Sequence, residues 1–122
     1  MNAQPTPALS IVVVSFNTRA MTLECLDSIV RETQSTPYEI IVVDNASSDG
    51  SAAAIAAHPA RVRLIPLGEN IGFARANNLA VREARGDLVL LLNPDTVVLE
   101  RAIDRLVDFA AARPAAGIWG GR

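Results

Sequence analysis

Three polar segments each follow a run of apolar residues, and their oxygen and amide groups are the kind that binding chemistry uses. Ser15-Phe16-Asn17 follows residues 11–14, Asp44-Asn45-Ala46-Ser47-Ser48-Asp49-Gly50-Ser51 follows 40–43, and Asn93-Pro94-Asp95-Thr96 follows 88–92. Asp44 comes directly after four apolar residues, a position at the rim of a sheet where its carboxylate can accept a hydrogen bond from a ligand N–H. Asp95 emerges from its run in the same way. A hard divalent cation bridging two phosphates needs oxygen ligands, often one or two carboxylates, with substrate oxygens and water completing its shell. One Asp is enough for that role. The plainer reading stands beside it, because Asn, Asp, Ser and Gly are also the residues of turns and helix caps. For Asn45 to Ser51, taken singly, that reading suffices. A fourth segment, Gly68-Glu69-Asn70-Ile71-Gly72-Phe73-Ala74-Arg75-Ala76-Asn77-Asn78, joins glycines that admit a ligand to the backbone with a helix start whose N–H groups favour phosphate. Gly72, Ala74 and Asn77 are its candidates, against the ordinary alternative of a loop leading into a helix.

The elements that must position these residues are legible from apolar patterning. Residues 11–14, 40–43, 62–67 and 88–92 are short runs rich in Val, Ile and Leu, suited to strands covered on both faces of a parallel sheet. The third contains Arg63 and Pro66 and reads as an edge strand. Thr18 can cap a helix whose stripe is Thr22, Cys25, Leu26, Ile29 and Val30. Ser47 or Ser48 can cap a short Ala-rich helix that stops near His58-Pro59. Residues 72–85 read as a third helix ended by Gly86. Leu99, Ile103, Leu106, Val107 and Ala110 repeat at helical spacing until Pro114, and Gly117-Ile118-Trp119 can begin a fifth strand. The alternation of strand and helix predicts an α/β fold, a Rossmann-like, mostly parallel sheet with flanking helices. In such sheets ligands bind beyond the carboxyl ends of the strands, where all the polar segments above fall.

Composition narrows the function classes. The chain has 122 residues, one domain's worth, with 50% hydrophobic, 20% charged and 4% aromatic residues, so it can bury an aliphatic core. Its formal net charge is -2 and it contains no Lys, which argues against an electrostatic grip on nucleic acid. The lone Cys25 cannot form an internal disulfide and falls on an apolar stripe, where a buried, inert thiol is expected. His58 beside Pro59 reads as a helix-end or loop residue and receives no catalytic role. Trp119 reads as packing. No apolar run approaches the roughly 20 residues a bilayer span requires. Residues 1–8, with two prolines and no basic or apolar signal region, read as a flexible leader before a domain at 9–122. A phosphate loop, a dinucleotide glycine fingerprint, paired Cys/His metal spacing and a nucleophile elbow are absent.

Leu9 to Asn17, Val43 to Ser51, Asn70 to Asn78, and Gly86-Asp87 followed by Leu90-Leu91-Leu92-Asn93-Pro94-Asp95, in this order and spacing, closely resemble the family 2 glycosyltransferases. The resemblance runs from Leu9 to about Gly120. It implies the A-type glycosyltransferase fold, a nucleoside diphosphate sugar donor and Mg2+ or Mn2+. It sets base and ribose near Ser15, Phe16, Asn17 and Asp44, with Asp44 meeting a pyrimidine. Asn70, Gly72, Ala74 and Asn77 would lie along ribose and diphosphate. Asn93-Pro94-Asp95 would occupy the family's Asp-x-Asp position, with Asp95 touching ribose, metal or both. Asn93 replaces the usual first acid; its amide oxygen can ligate but carries no charge. This variant looks like bacterial rhamnosyltransferases, which use a thymidine diphosphate sugar, so a TDP- or UDP-linked donor is expected.

Members of the family usually continue well beyond this length, supplying a carbohydrate acceptor site and a carboxylate general base. Inverting sugar transfer is therefore expected of the full enzyme, and donor binding with little or no transfer of this chain. A cytoplasmic location, membrane-peripheral at most, goes with the resemblance and with the missing signal. An open sheet edge where further chain would pack predicts a homo-oligomer. Two other classes compete: a receiver-like or flavodoxin-like binding domain, disfavoured by the absence of Lys, and an interaction domain whose polar rim is only turns and caps.

Overall fold

The two apolar runs made wholly of Val and Ile, residues 11–14 and 40–43, become the two central strands, where both faces are covered. The computed structural model describes residues 6–113, so residues 1–5 and the expected strand at Gly117-Ile118-Trp119 lie outside the described residues. Within them the order is β1 (Leu9–Ser15), α1 (Arg19–Glu32), β2 (Tyr38–Asp44), α2 (Ser51–Ala56), β3 (Arg63–Pro66), α3 (Phe73–Glu83), β4 (Leu88–Leu91) and α4 (Ala102–Ala111). The strands form one sheet in the order β3-β2-β1-β4, and every pairing is parallel. This is the expected α/β architecture, with β3 on an edge as Arg63 and Pro66 suggested.

Alternate residues of the central strands feed two cores. Leu9, Ile11, Val13, Ile40 and Val42 pack with Cys25, Leu26 and Ile29 of α1, Ile55 of α2 and Ile103 of α4. Val12, Val14, Ile41 and Val43 face the other way, onto Ala76 and Ala80 of α3. Burying one such Val or Ile contributes about 1.5–3 kcal/mol. Small alanines let α3 lie close to the sheet, but among the described residues no other helix packs on that side. Val89 and Leu91 of β4 therefore remain 42% and 54% exposed, so the expectation of a strand covered on both faces fails for β4.

Several boundaries depart from the sequence reading. Thr18 sits at the start of α1 without a side-chain cap bond, its hydroxyl being shared with Ser15 and Thr22. Val30 is exposed, and Ser28 joins the buried stripe instead. Gly50, at φ +82°, and not Ser47 or Ser48, precedes α2. α3 stops at Glu83 because Ala84 is extended. Gly86 serves a different purpose from helix termination: a Cβ there would lie 2.6 Å from the Ser10 backbone nitrogen. α4 begins at Ala102, not near Leu99, since Glu100 and Arg101 both have positive φ, and Leu99 is exposed. β4 stops at Leu91, one residue short of the expected end. Ala8, the last residue of the supposed flexible leader, bonds through its N–H to Pro37 and through its C=O to Leu88. No helix among the described residues is long and apolar enough to cross a membrane.

Candidate functional site

Register brings the carboxyl ends of β1 and β2 level, Ser15 opposite Asp44, and β2 level with the end of β3. Ser15 is fully buried: its hydroxyl is shared with Thr18 and Thr22, and its carbonyl accepts the Asn45 N–H at 2.8 Å. Phe16 and Asn17 come next and are exposed. Asn17 takes a left-handed conformation that Asn tolerates, and its side-chain oxygen accepts the Ser48 N–H at 2.8 Å. Its own N–H donates to the Ser47 hydroxyl at 2.8 Å. The β1 and β2 loops are thus laced together.

Asp44 is less open than its rim position suggested. It is 2% exposed, and its oxygens accept the Ser47 N–H at 3.1 Å and the Ser47 hydroxyl at 2.7 Å. Spare lone pairs remain on both oxygens. Two residues assigned only to the turn carry more than expected. Asn45 is buried, accepts the Ile71 N–H at 2.9 Å and donates to the Gly72 carbonyl at 3.2 Å, pinning the loop before α3. Asp49 accepts the Arg19 N–H at 3.0 Å, capping α1 from another loop, and bonds Ser51 through both its N–H and its hydroxyl. The Ser51 hydroxyl, foremost among these donors, holds the Asp49 carboxyl below its usual range.

The pinned loop delivers an open helix start. Asn70 accepts the Gly72 N–H at 2.8 Å, and Gly72 adopts φ +87°, ψ 165°, a region essentially restricted to Gly. No side chain caps α3, so the first N–H groups of the helix, Ala74 among them, are left for water or an anion. Asn77 lies one turn further on, 7% exposed, with no side-chain hydrogen-bond partner among the described residues.

Asn93 and Asp95 contrast with the laced turn. The Thr96 N–H donates to the Asn93 carbonyl at 3.1 Å, closing a tight turn whose second residue, Pro94, presets its own φ. Both the Asn93 amide and the Asp95 carboxylate are exposed and make no hydrogen bond or ion pair among the described residues. Burial, and then the charge of Asp95, push the nearby Cys25 thiol up to about 11, confirming it as an inert thiol. His58 is likewise structural: Nδ1 accepts the Ala60 N–H and Nε2 meets Asp27 at 2.6 Å. Among the described residues there is no cluster of three or more His, Cys, Asp or Glu that could enclose a metal. One free carboxylate with one free amide does suit a cation that takes its remaining oxygens from a diphosphate and water.

The profile of Glycosyl transferase family 2 matches residues 10–122. The chain belongs to that family. Among its relatives, an N-acetylglucosaminyltransferase of Bradyrhizobium is 34% identical over 105 residues, covering 82% of this chain and 69% of its own length. An N-acetylglucosaminyl-diphospho-decaprenol L-rhamnosyltransferase of Mycobacterium tuberculosis is 31% identical, covering 94% of this chain and 41% of its own. In structure, a mannosyltransferase of Pyrobaculum calidifontis, solved in complex with GDP-Man and Mn2+, superposes with TM-score 0.77 at 28% identity, over 86% of this chain and 32% of its own. The family 2 chain described here thus spans well under half of the second and third of these proteins. Its parallel sheet and flanking helices correspond to one part of the larger glycosyltransferase fold.

Proposed function

We propose that this chain is the donor-binding part of an inverting glycosyltransferase that passes a sugar from a nucleoside diphosphate sugar to an acceptor hydroxyl. The observation that carries the reading is the free Asp95 carboxylate on the same sheet rim as the uncapped, Asn45-pinned start of α3. A diphosphate satisfies both, the helix N–H groups directly and the carboxylate through a divalent cation. Base and ribose are assigned to the surface of Phe16 and Asn17, with Asp44 facing a pyrimidine and Ser15 acting through the fold beneath them. Asn70, Gly72, Ala74 and Asn77 are assigned to ribose and diphosphate. Asp95, with Asn93, would hold Mg2+ or Mn2+, which when bound supplies positive charge to the departing diphosphate. Proton removal from the acceptor is assigned to no residue of this chain.

A TDP- or UDP-linked donor is favoured, and rhamnose in particular is supported by Asn93-Pro94-Asp95 and by the 31% identity to a rhamnosyltransferase. A carbohydrate acceptor and a cytoplasmic reaction follow from the same reading. Self-association of the chain would use the open side of β4, and a mass that stays monomeric at all concentrations in light scattering would refute it. The main test is a thermal-shift series with UDP, TDP and GDP, each with and without Mn2+. Ligand at about 100 times its Kd stabilises by about 2.7 kcal/mol, several degrees for a domain of this size. A metal-dependent shift with TDP or UDP supports the reading. No shift with any nucleotide refutes it and leaves a non-catalytic α/β binding or interaction domain.

A further inference from the structure

Ten residues separate β4 from α4 and form no helix or strand, yet they carry Asn93 and Asp95. At their start the Leu92 N–H donates to the Val12 carbonyl of β1 at 2.9 Å, and beyond that three of their attachments fall on one stripe of α1. The Cys25 thiol lies 3.9 Å from the Asn93 carbonyl. One turn on, the Ser28 hydroxyl accepts the Val98 N–H at 2.8 Å, and one further turn on, Glu32 accepts the Arg101 N–H at 3.2 Å. Positions 25, 28 and 32 share a helix face, so the stripe runs alongside the segment from its start to its end.

Ser28 is the central attachment, and it is built for more than filling a helix. Its hydroxyl donates to the Cys25 carbonyl at 2.7 Å while accepting from Val98, and both bonds are buried. A serine that only satisfies its own helix would stop at the first bond. Here the first bond aims the oxygen lone pair at a backbone N–H 70 residues away in sequence. Val98 itself is 4% exposed, so side chain and backbone are both fixed at that point. Three residues before it stands Asp95, whose own side chain is held by nothing among the described residues. From the other side, Asp104 of α4 grips the backbone N–H groups of Gln34 and Ser35 just after α1. The segment is therefore anchored to β1 at Leu92 and to α1 at Val98 and Arg101, with α4 tied to the loop after α1.

We propose that Ser28 is a positioning residue for the Asn93–Asp95 turn: by anchoring Val98 it sets where the Asp95 carboxylate stands relative to the diphosphate, without touching ligand itself. This rests on the donor-binding reading above. Groups that hydrogen-bond a metal ligand directly change metal affinity by about 10–100-fold when removed, and Ser28, acting through Val98, is expected at the lower end of that range.

The test uses the protein in its native length, with UDP and TDP as nucleotide probes and Mn2+ followed by electron paramagnetic resonance. In Ser28→Ala, Mn2+ affinity at saturating nucleotide is expected to fall about tenfold or more, while metal-free nucleotide affinity stays within about twofold. Amide exchange in the metal-free protein should quicken at residues 97–99 and not in β1 or β2. A merely structural role would lower the melting temperature and weaken both kinds of binding alike, and that result overturns the proposal. So does unchanged Mn2+ affinity in a folded Ser28→Ala. If Ser28→Ala does not fold, the more exposed Glu32 decides. Glu32→Ala should cost roughly threefold in Mn2+ affinity, as expected for one lost hydrogen bond, and Glu32→Gln should restore it; no loss in Glu32→Ala overturns the proposal. A wild type that binds nucleotide with no contribution from Mn2+ overturns this inference alone, whereas one that binds no nucleotide overturns the donor-binding reading as well.

Discussion

The turn after β2 and the turn after β4 stand on the same rim and are built in opposite ways. In the first, Asp44, Asn45 and Asp49 spend their side chains on Ser47, Ile71, Gly72, Arg19 and Ser51. In the second, Asn93 and Asp95 spend theirs on nothing within the described residues, and the backbone alone is held. A polar group with its hydrogen bonds already made contributes to the fold; an exposed one without a protein partner stays open to water and to any ligand that reaches the rim. The difference separates polar side chains that hold a turn in shape from side chains left open to solvent, a distinction residue type does not make.

The largest effect should come from the support behind the second turn. Asp104 is 1% exposed and accepts from Gln34, Ser35, Thr36 and Arg101. Burial alone would raise its pKa, but those donors outweigh it and hold the carboxyl well below the usual carboxylate range. Asp104→Ala leaves several donors unpaired and should cost about 3 kcal/mol in urea unfolding at pH 7. Because the folded carboxyl titrates below its unfolded value of about 3.9, its contribution is complete above about pH 5 and is lost as pH falls through the acid range. The gap between wild type and Asp104→Asn should therefore narrow from pH 7 to pH 3; a gap independent of pH would contradict the assignment.

Next in size is the built turn. Asn45→Ala strands the Ile71 N–H and the Gly72 carbonyl, and a loss of about 2 kcal/mol is expected, together with weaker nucleotide binding whether or not Mn2+ is present. Gly86→Ala should cost about 1–3 kcal/mol, since the new methyl meets β1 backbone, and its nucleotide affinity once folded should match wild type. Calorimetry at a temperature where both variants are folded separates the two cases. Smallest in stability and most telling is Asp95→Ala. It should shift unfolding by no more than about 0.5 kcal/mol, yet abolish the Mn2+-dependent part of nucleotide binding. A large loss of stability there would erase the contrast between the two turns.

The strands were legible in the sequence because Ile11 to Val14 and Ile40 to Val43 are continuous aliphatic runs, a pattern few other elements share. The two rim turns were legible too, since Asp44 stands directly after its run and Asn93-Pro94-Asp95 directly after residues 88–92. What stayed hidden depends on distant partners. Asp49 caps α1 because the Arg19 N–H at the start of that helix, 30 residues away in sequence, comes within its reach. The helical spacing of Leu99 with Ile103 is real, but the positive φ of Glu100 and Arg101 breaks the helix between them. Asn45, Ser28 and Asp104 were passed over because each works on backbone far away in the chain. The one local signal was a polar residue inside an apolar helical stripe, at Ser28 between Cys25 and Ile29 and at Asp104 beside Ile103.

The position of β1 carries a consequence for synthesis. It is made before the other three described strands, yet it pairs with β2 on one side and with β4 on the other. At roughly 5–20 residues per second, several seconds pass between the emergence of Ser15 and that of Leu88. Through that interval an uncharged strand with the run Ile11-Val12-Val13-Val14 holds an unpaired edge, a state that invites pairing with other nascent chains. A ribosome-bound chain arrested before β4 should therefore recruit holding chaperones more strongly than one arrested after α4.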